Sequence, residues 1–245
     1  MRKSFLFCTL LLGMTLVTMP ALADWNEGDP HKMHYPQLPD PEGIDVSFRS
    51  PEVLADDWMC SWTGPVNDIH FWFSSLNDNQ FDINTVSIGI YSDIPQDPTN
   101  PYSRPGALLW QRDFAGDEVT WRMAGQGDQG WYVPENGFYE PHNHQNYYQM
   151  NIQDIVDPFV QNYGEIYWLA VSVSADTALG WKTSISAQFN DTSVWGILPT
   201  PSWEPVYDPR AGFVVTPLDL AFVITPEPAS LMLLGLGGLA VLRRR

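Results

Sequence analysis

Apolar and polar residues alternate through most of the interior of this 245-residue chain, and that period of two restricts the fold more than any other feature. In VNDIHFWFSS, Ile69, Phe71 and Phe73 fall on one face, and Asp68, His70, Trp72 and Ser74 on the other. TVSIGIYSD sets Val86, Ile88 and Ile90 against Ser87, Gly89 and Tyr91. IYWLAVSVSA sets Tyr167, Leu169, Val171 and Val173 against Trp168, Ala170, Ser172 and Ser174. PLDLAFVIT sets Leu218, Leu220, Phe222 and Ile224 against Asp219, Ala221 and Val223. Side chains on a strand point to alternate sides, so such runs predict half-buried strands. ALLWQRDF, NYYQMNI, LGWKTS and TSVWGI add shorter candidates. No stretch carries a convincing helical stripe; IQDIVDPFVQ is the best short helix or turn, and Pro158 limits it. Twenty-one prolines and eighteen glycines suit a chain of turns and strands. The expectation is an all-β fold over residues 51–225, an antiparallel two-sheet sandwich of jelly-roll type, preceded by an extended arm over 24–50.

The first residues carry a different pattern. Arg2 and Lys3 precede an uncharged apolar run that closes on Ala21-Leu22-Ala23. A basic start, an apolar core and an A-x-A site make a secretory signal peptide over 1–23, a helix until it is cut between Ala23 and Asp24. From Asp24 to Thr225, seven Lys and Arg stand against twenty-eight Asp and Glu, a net charge of −21. Binding to nucleic acid or anionic lipid rests on Lys and Arg releasing counterions, so no nucleic-acid partner is expected. Loss of Cys8 with the signal leaves Cys60 alone, which excludes a disulfide within the mature chain. Its place between Trp58 and Trp62 predicts a small buried side chain.

The C-terminus is built as a second signal. Ala229 to Leu242 is an uncharged run of fourteen residues, about 21 Å as a helix, against a hydrocarbon thickness of roughly 30 Å. Arg243, Arg244 and Arg245 follow, and would hold the short helix in the membrane with its basic end inside the cell. With Pro226-Glu227-Pro228 at its outer edge, the segment 226–245 resembles the PEP-CTERM sorting signal. That resemblance implies a membrane-embedded exosortase as partner, transient membrane insertion, cleavage near Pro226-Glu227-Pro228, and delivery to the surface or extracellular matrix of a bacterium.

A second resemblance covers the body. VLADDWMCSWTGPVNDIHFW, YSDIP, SRPGALLW, GWYVP, DPFVQNYGEIYWLAV, GWKTS and DLAFVIT, in that order from Pro51 to Thr225, are similar to an uncharacterised extracellular domain of many PEP-CTERM proteins of environmental bacteria. Trp58 stands where that domain has Phe in ADDF-x-C. The resemblance implies an all-β fold and supplies no catalytic residue.

Sites are weighed from the residues. Indole rings stack on the apolar faces of sugars, and Trp72, Trp121, Trp131 and Trp203, on polar faces or in turns, are the candidate ligand-binding set; the competing reading is that they fill the core. His142 and His144 in EPHNHQN would share one side of a strand, with Glu140 near, but no second metal-ligand pair accompanies them. Oxygen-rich stretches at Asp56-Asp57, Asn77-Asp78-Asn79 and Asn190-Asp191 are what a calcium ion needs, without EF-hand spacing. Asp56 or Asp57 is also expected to bond backbone in a turn. No G-x-S-x-G, H-E-x-x-H or phosphate loop occurs. Glu118, Glu135, Glu140 and Glu165 would have to pair in a groove to act on glycosides. The expected role is a non-enzymatic structural or interaction protein, with a carbohydrate-binding module and then a glycoside-active enzyme as alternatives, and extracellular polysaccharide as the candidate ligand.

Overall fold

The computed structural model describes residues 24–226. Ala21, Ala23, Glu227, Pro228, Arg243, Arg244 and Arg245 lie outside the described residues, as do the two expected terminal helices; Asp24 and Pro226 stand at the limits of the body. In chain order the strands are β1 (Ile44–Ser47), β2 (Glu52–Met59), β3 (Gly64–Pro65), β4 (Asp68–Ser75), β5 (Ile83–Ile94), β6 (Arg104–Ala115) and β7 (Thr120–Val133). There follow β8 (Phe138–Ile152), β9 (Val160–Gln161), β10 (Ile166–Ala175), β11 (Leu179–Lys182), β12 (Val194–Ile197), β13 (Glu204–Pro205) and β14 (Phe222–Thr225). Among the described residues helix is confined to three single 3-10 turns, and none is long and apolar enough to cross a membrane. The IQDIVDPFVQ stretch forms turns, with Asp154 and Asp157 at left-handed φ of 51° and 55°, before β9.

The strands assemble into two six-stranded sheets, ordered β13-β12-β2-β10-β5-β6 and β11-β1-β7-β8-β4-β14, with β3 and β9 as a separate pair. The second sheet curls back on itself. β11 pairs with β1 along one edge and with β4 along the other, so β11, β1, β7, β8 and β4 close into a ring of five. Pairing is antiparallel except between β1 and β7, which run parallel. Packing follows the alternation. Ile69, Phe71 and Phe73 of β4, Ile44 and Val46 of β1 and Trp181 of β11 face out of the ring and join Leu54, Trp58, Ile88, Ile90, Leu169 and Val171 of the other sheet in one buried core. At about 1.5–3 kcal/mol for each such side chain taken from water, this contact dominates the stability of the body.

Two faces expected to meet solvent are buried as well. Loops carrying Tyr102, Leu198 and Trp203 fold over the outside of the first sheet and cover Val53, Ala55, Trp168 and Ala170. His70, Trp72 and Ser74 of β4 point into the ring, where they are 3%, 5% and 0% exposed. The stretch 24–50 is woven into the same structure. It supplies β1, sets Trp25 edge-on against Trp72 with ring centroids 6.0 Å apart, and runs beside β14, where Lys32 N donates to Ile224 O at 2.7 Å and Gln37 N to Phe222 O at 3.1 Å.

Candidate functional site

Both sheets contribute to a groove of about 660 Å³. The β1–β2 turn brings Arg49, β2 begins with Glu52, β7 ends with Trp131 and Val133, and the β7–β8 hairpin presents Glu135, Phe138 and Glu140. The hairpin turn PENG explains the rim: Gly137 takes a left-handed φ of 69°, and Phe138 N donates to Asn136 Oδ1 at 2.9 Å. These bonds fix the turn and leave the Phe138 ring half exposed, at 49%. Trp131 forms the floor and is nearly covered. Partial burial pushes the Glu52 carboxyl up; the Ser47 hydroxyl, donating to Oε2 at 2.6 Å, opposes the rise, and the charge of Glu135 adds to it. An apolar floor and wall beside one cation and several carboxylates can hold a polar ring system by stacking and hydrogen bonding.

The four candidate tryptophans do not form one surface. Trp72 and Trp131 are buried, Trp131 under the groove. Trp121 is 47% exposed in a separate aromatic patch with Phe81 and Tyr148, at 4.8 and 5.4 Å between centroids. Trp203 packs edge-on against Tyr91 over the first sheet. Nor do the two histidines share a side. His142 takes a left-handed φ of 55° within a bulged stretch of β8, which breaks the alternation. Its ring is exposed and meets Asp128 at 2.6 Å, whereas His144 turns inward to Asp45 at 2.9 Å. Glu118 is tied to Arg112 at 2.9 Å on the opposite sheet, away from Glu135 and Glu140.

Two of the three oxygen-rich stretches do converge. Asn190 Nδ2 donates to Asp57 Oδ2 at 2.5 Å and to Ser103 Oγ at 2.9 Å, and Ser103 N donates to Asp191 Oδ2 at 2.7 Å. Asp56 bonds backbone as expected, but within β2 rather than in a turn: its carboxylate accepts Leu220 N at 2.6 Å and Asp57 N at 2.9 Å, and Gln37 Nε2 at 2.8 Å. Asp219 accepts Phe189 N at 2.9 Å and the Gln188 amide. Burial and the charge of Asp219 drive Asp56 well above the usual carboxylate range; burial does the same to Asp57, with repulsion from Asp219 and Asp93, against the Asn190 bond. Burial lifts Asp219 to about 7. The third stretch is a clip instead, with Asp78 accepting Gln145 N and Asn146 N, each at 2.9 Å. Among the described residues no group of three or more His, Cys, Asp or Glu side chains is arranged to hold a metal ion.

Arg49, Glu52 and Phe138 were not singled out by sequence. Glu52 opens a strand that reads as pure scaffold, and only the pairing of β7 with β8 brings Glu135 and Phe138 to it. Residues 225–245 match the PEP-CTERM protein-sorting motif, which marks an exosortase-sorted protein exported to the cell surface. A search of curated proteins and a search of solved structures each found no match. Residues 33–225 match the model of a domain of unknown function, DUF7901, and the chain belongs to that family.

Proposed function

We propose that this exported protein is a non-enzymatic component of the cell surface or extracellular matrix, and that its groove engages extracellular polysaccharide. The observation that carries the reading is the groove itself: a half-exposed Phe138 ring, with the nearly covered Trp131 beneath, beside Arg49, Glu52, Glu135 and Glu140. Sugars offer apolar faces to such rings and hydroxyls to such polar groups. With a body charge of −21, the favoured polymer is neutral or cationic. The full chain is to be tested by affinity electrophoresis against neutral, cationic and acidic polysaccharides. A neutral or cationic polymer should retard it, and Phe138→Ala should weaken that about five- to thirtyfold, the scale of a lost ring contact of about 1–2 kcal/mol. No retardation by any polymer, or an unaffected Phe138→Ala variant, would sink the binding reading.

A second reading rests on Glu52, whose raised carboxyl beside Glu135 has the character of an acid and base pair. Release of reducing ends by the wild type, abolished in Glu52→Gln, would replace the non-enzymatic reading with a hydrolytic one.

A further inference from the structure

Inside the five-strand ring, one cluster of fully or nearly buried polar side chains takes a member from every strand: Asp45 from β1, Gln129 from β7, His144 from β8, Ser74 from β4 and Lys182 from β11. Contacts between strands that are not neighbours show that these groups meet across the interior. Lys182 Nζ hydrogen-bonds to Gln129 Oε1 past β1, and Ser74 Oγ donates to the same oxygen at 3.3 Å past β8. Lys182 Nζ is also 3.2 Å from Asp45 Oδ2, which accepts His144 Nε2 at 2.9 Å. The carboxamide of Gln129 cannot turn over, because its Nε2 donates to Gln145 O at 2.6 Å and to Gly127 O at 3.2 Å. Both members of the Lys182–Asp45 pair are 0% exposed.

We propose that Lys182 and Gln129 are joined within the chain by an amide bond between Nζ and Cδ, formed after folding and sealed inside the ring. The arrangement brings together the groups an intramolecular transamidation uses: an amine hydrogen-bonded to a carboxamide oxygen, a hydroxyl on that same oxygen, and a carboxylate beside the amine. Asp45 Oδ2 takes a proton from Lys182 Nζ, and the freed lone pair attacks Gln129 Cδ. As the Nζ–Cδ bond forms, the carbonyl electron pair moves onto Oε1, where Ser74 donates. Asp45 passes its proton to Nε2, the carbonyl re-forms, and the Cδ–Nε2 bond breaks with its electron pair leaving on nitrogen. Nζ keeps one hydrogen in the new amide, and its remaining surplus proton goes to the ammonia; the ammonium replaces the lysine charge beside Asp45 and escapes when the ring opens locally. Charge and atoms balance without an oxidant or cofactor. Fixed orientation replaces a catalyst of bimolecular encounter, since well-aligned groups within one molecule reach effective concentrations of about 10⁵–10⁸ M, and burial keeps water from competing for the carbonyl.

The chain offers a direct readout. From Met123 the next basic residue is Lys182 itself, and the next after that is Arg210. Trypsin acting on the denatured full-length protein therefore leaves residues 123–210 in one piece if Lys182 is an amide, lighter than the sequence mass by about 17 Da, one ammonia. A second protease that cuts at glutamate should leave the Gln129 and Lys182 peptides joined. Asp45→Asn should restore cleavage after Lys182 and the full mass; if that variant does not fold, the wild-type digest decides alone. Natively folded wild type that is cut after Lys182, with Gln129 and Lys182 on separate peptides of unaltered mass, would overturn the proposal and leave Lys182–Asp45 as a buried ion pair.

Discussion

The carboxylates around Asp219 make stability depend on pH in an uncommon direction. Asp219 ordinarily ionises near 3.8, and burial lifts it to about 7 in the folded chain. Between those values the folded state keeps a proton that the unfolded chain has released, so stability falls as pH rises through the window and is fully reduced above it. A rise of about three pKa units, at about 1.4 kcal/mol each, corresponds to about 4 kcal/mol, of which about 3 kcal/mol accrues between pH 5 and pH 8. Asp219→Asn keeps the shape and an acceptor for Phe189 N but does not ionise. Urea unfolding of wild type and variant at both pH values is the assay. The stability of the variant relative to wild type should grow by about 3 kcal/mol from pH 5 to pH 8. In thermal melts, that is a shift on the order of 10 °C. Asp56 and Asp57, raised by burial within the same cluster, push in the same direction through the repulsion that the variant relieves. A gap that stays constant with pH, or a variant that loses ground at pH 8, would refute the reasoning.

Two further outcomes can be stated briefly. A Cβ on Gly127 would lie 1.8 Å from Pro41 O, so Gly127→Ala must push β7 away from the segment leading into β1; a loss of about 2–4 kcal/mol in chemical unfolding is expected, and a loss under about 0.5 kcal/mol would show that the two backbones give way freely. In a host with the sorting enzyme, replacing Glu227 should hold full-length protein in the membrane fraction, whereas deleting Arg243 to Arg245 should send uncleaved protein into the medium; mature surface protein that retains Arg245 would contradict both.

What could be read from sequence was local. Ile69, Phe71 and Phe73 declared a buried face because their alternation needs only neighbouring residues, and the C-terminal sorting motif is legible for the same reason, being one contiguous stretch. The ring could not be read. Its closure depends on β11 reaching β1, and the pair that marks it, Lys182 and Asp45, is separated by 137 positions. Until that closure is known, His70, Trp72 and Ser74 look like a solvent face. β7 was hidden for a related cause: TWRMAGQGDQGWYV directs Gln129 into a polar interior, so burial there leaves no apolar signature. Of the groove, sequence pointed to Trp131, Glu135 and Glu140 for separate reasons, and only folding joined them to Glu52 and Phe138.

The final strand has a consequence for the order of events during export. β14 ends at Thr225, directly before Pro226, and it fills a slot between β4 and the 32–37 segment. A chain that crosses a membrane N-terminus first must leave that slot empty until the last four residues of the body arrive, as each residue adds only about 3.3 Å of reach. By then the sorting segment is next in line, with no spacer to hold the body at a distance. Completion of the fold and presentation of the sorting motif would then be nearly one event, and an exosortase that recognises the motif would meet it against a finished β-sheet edge.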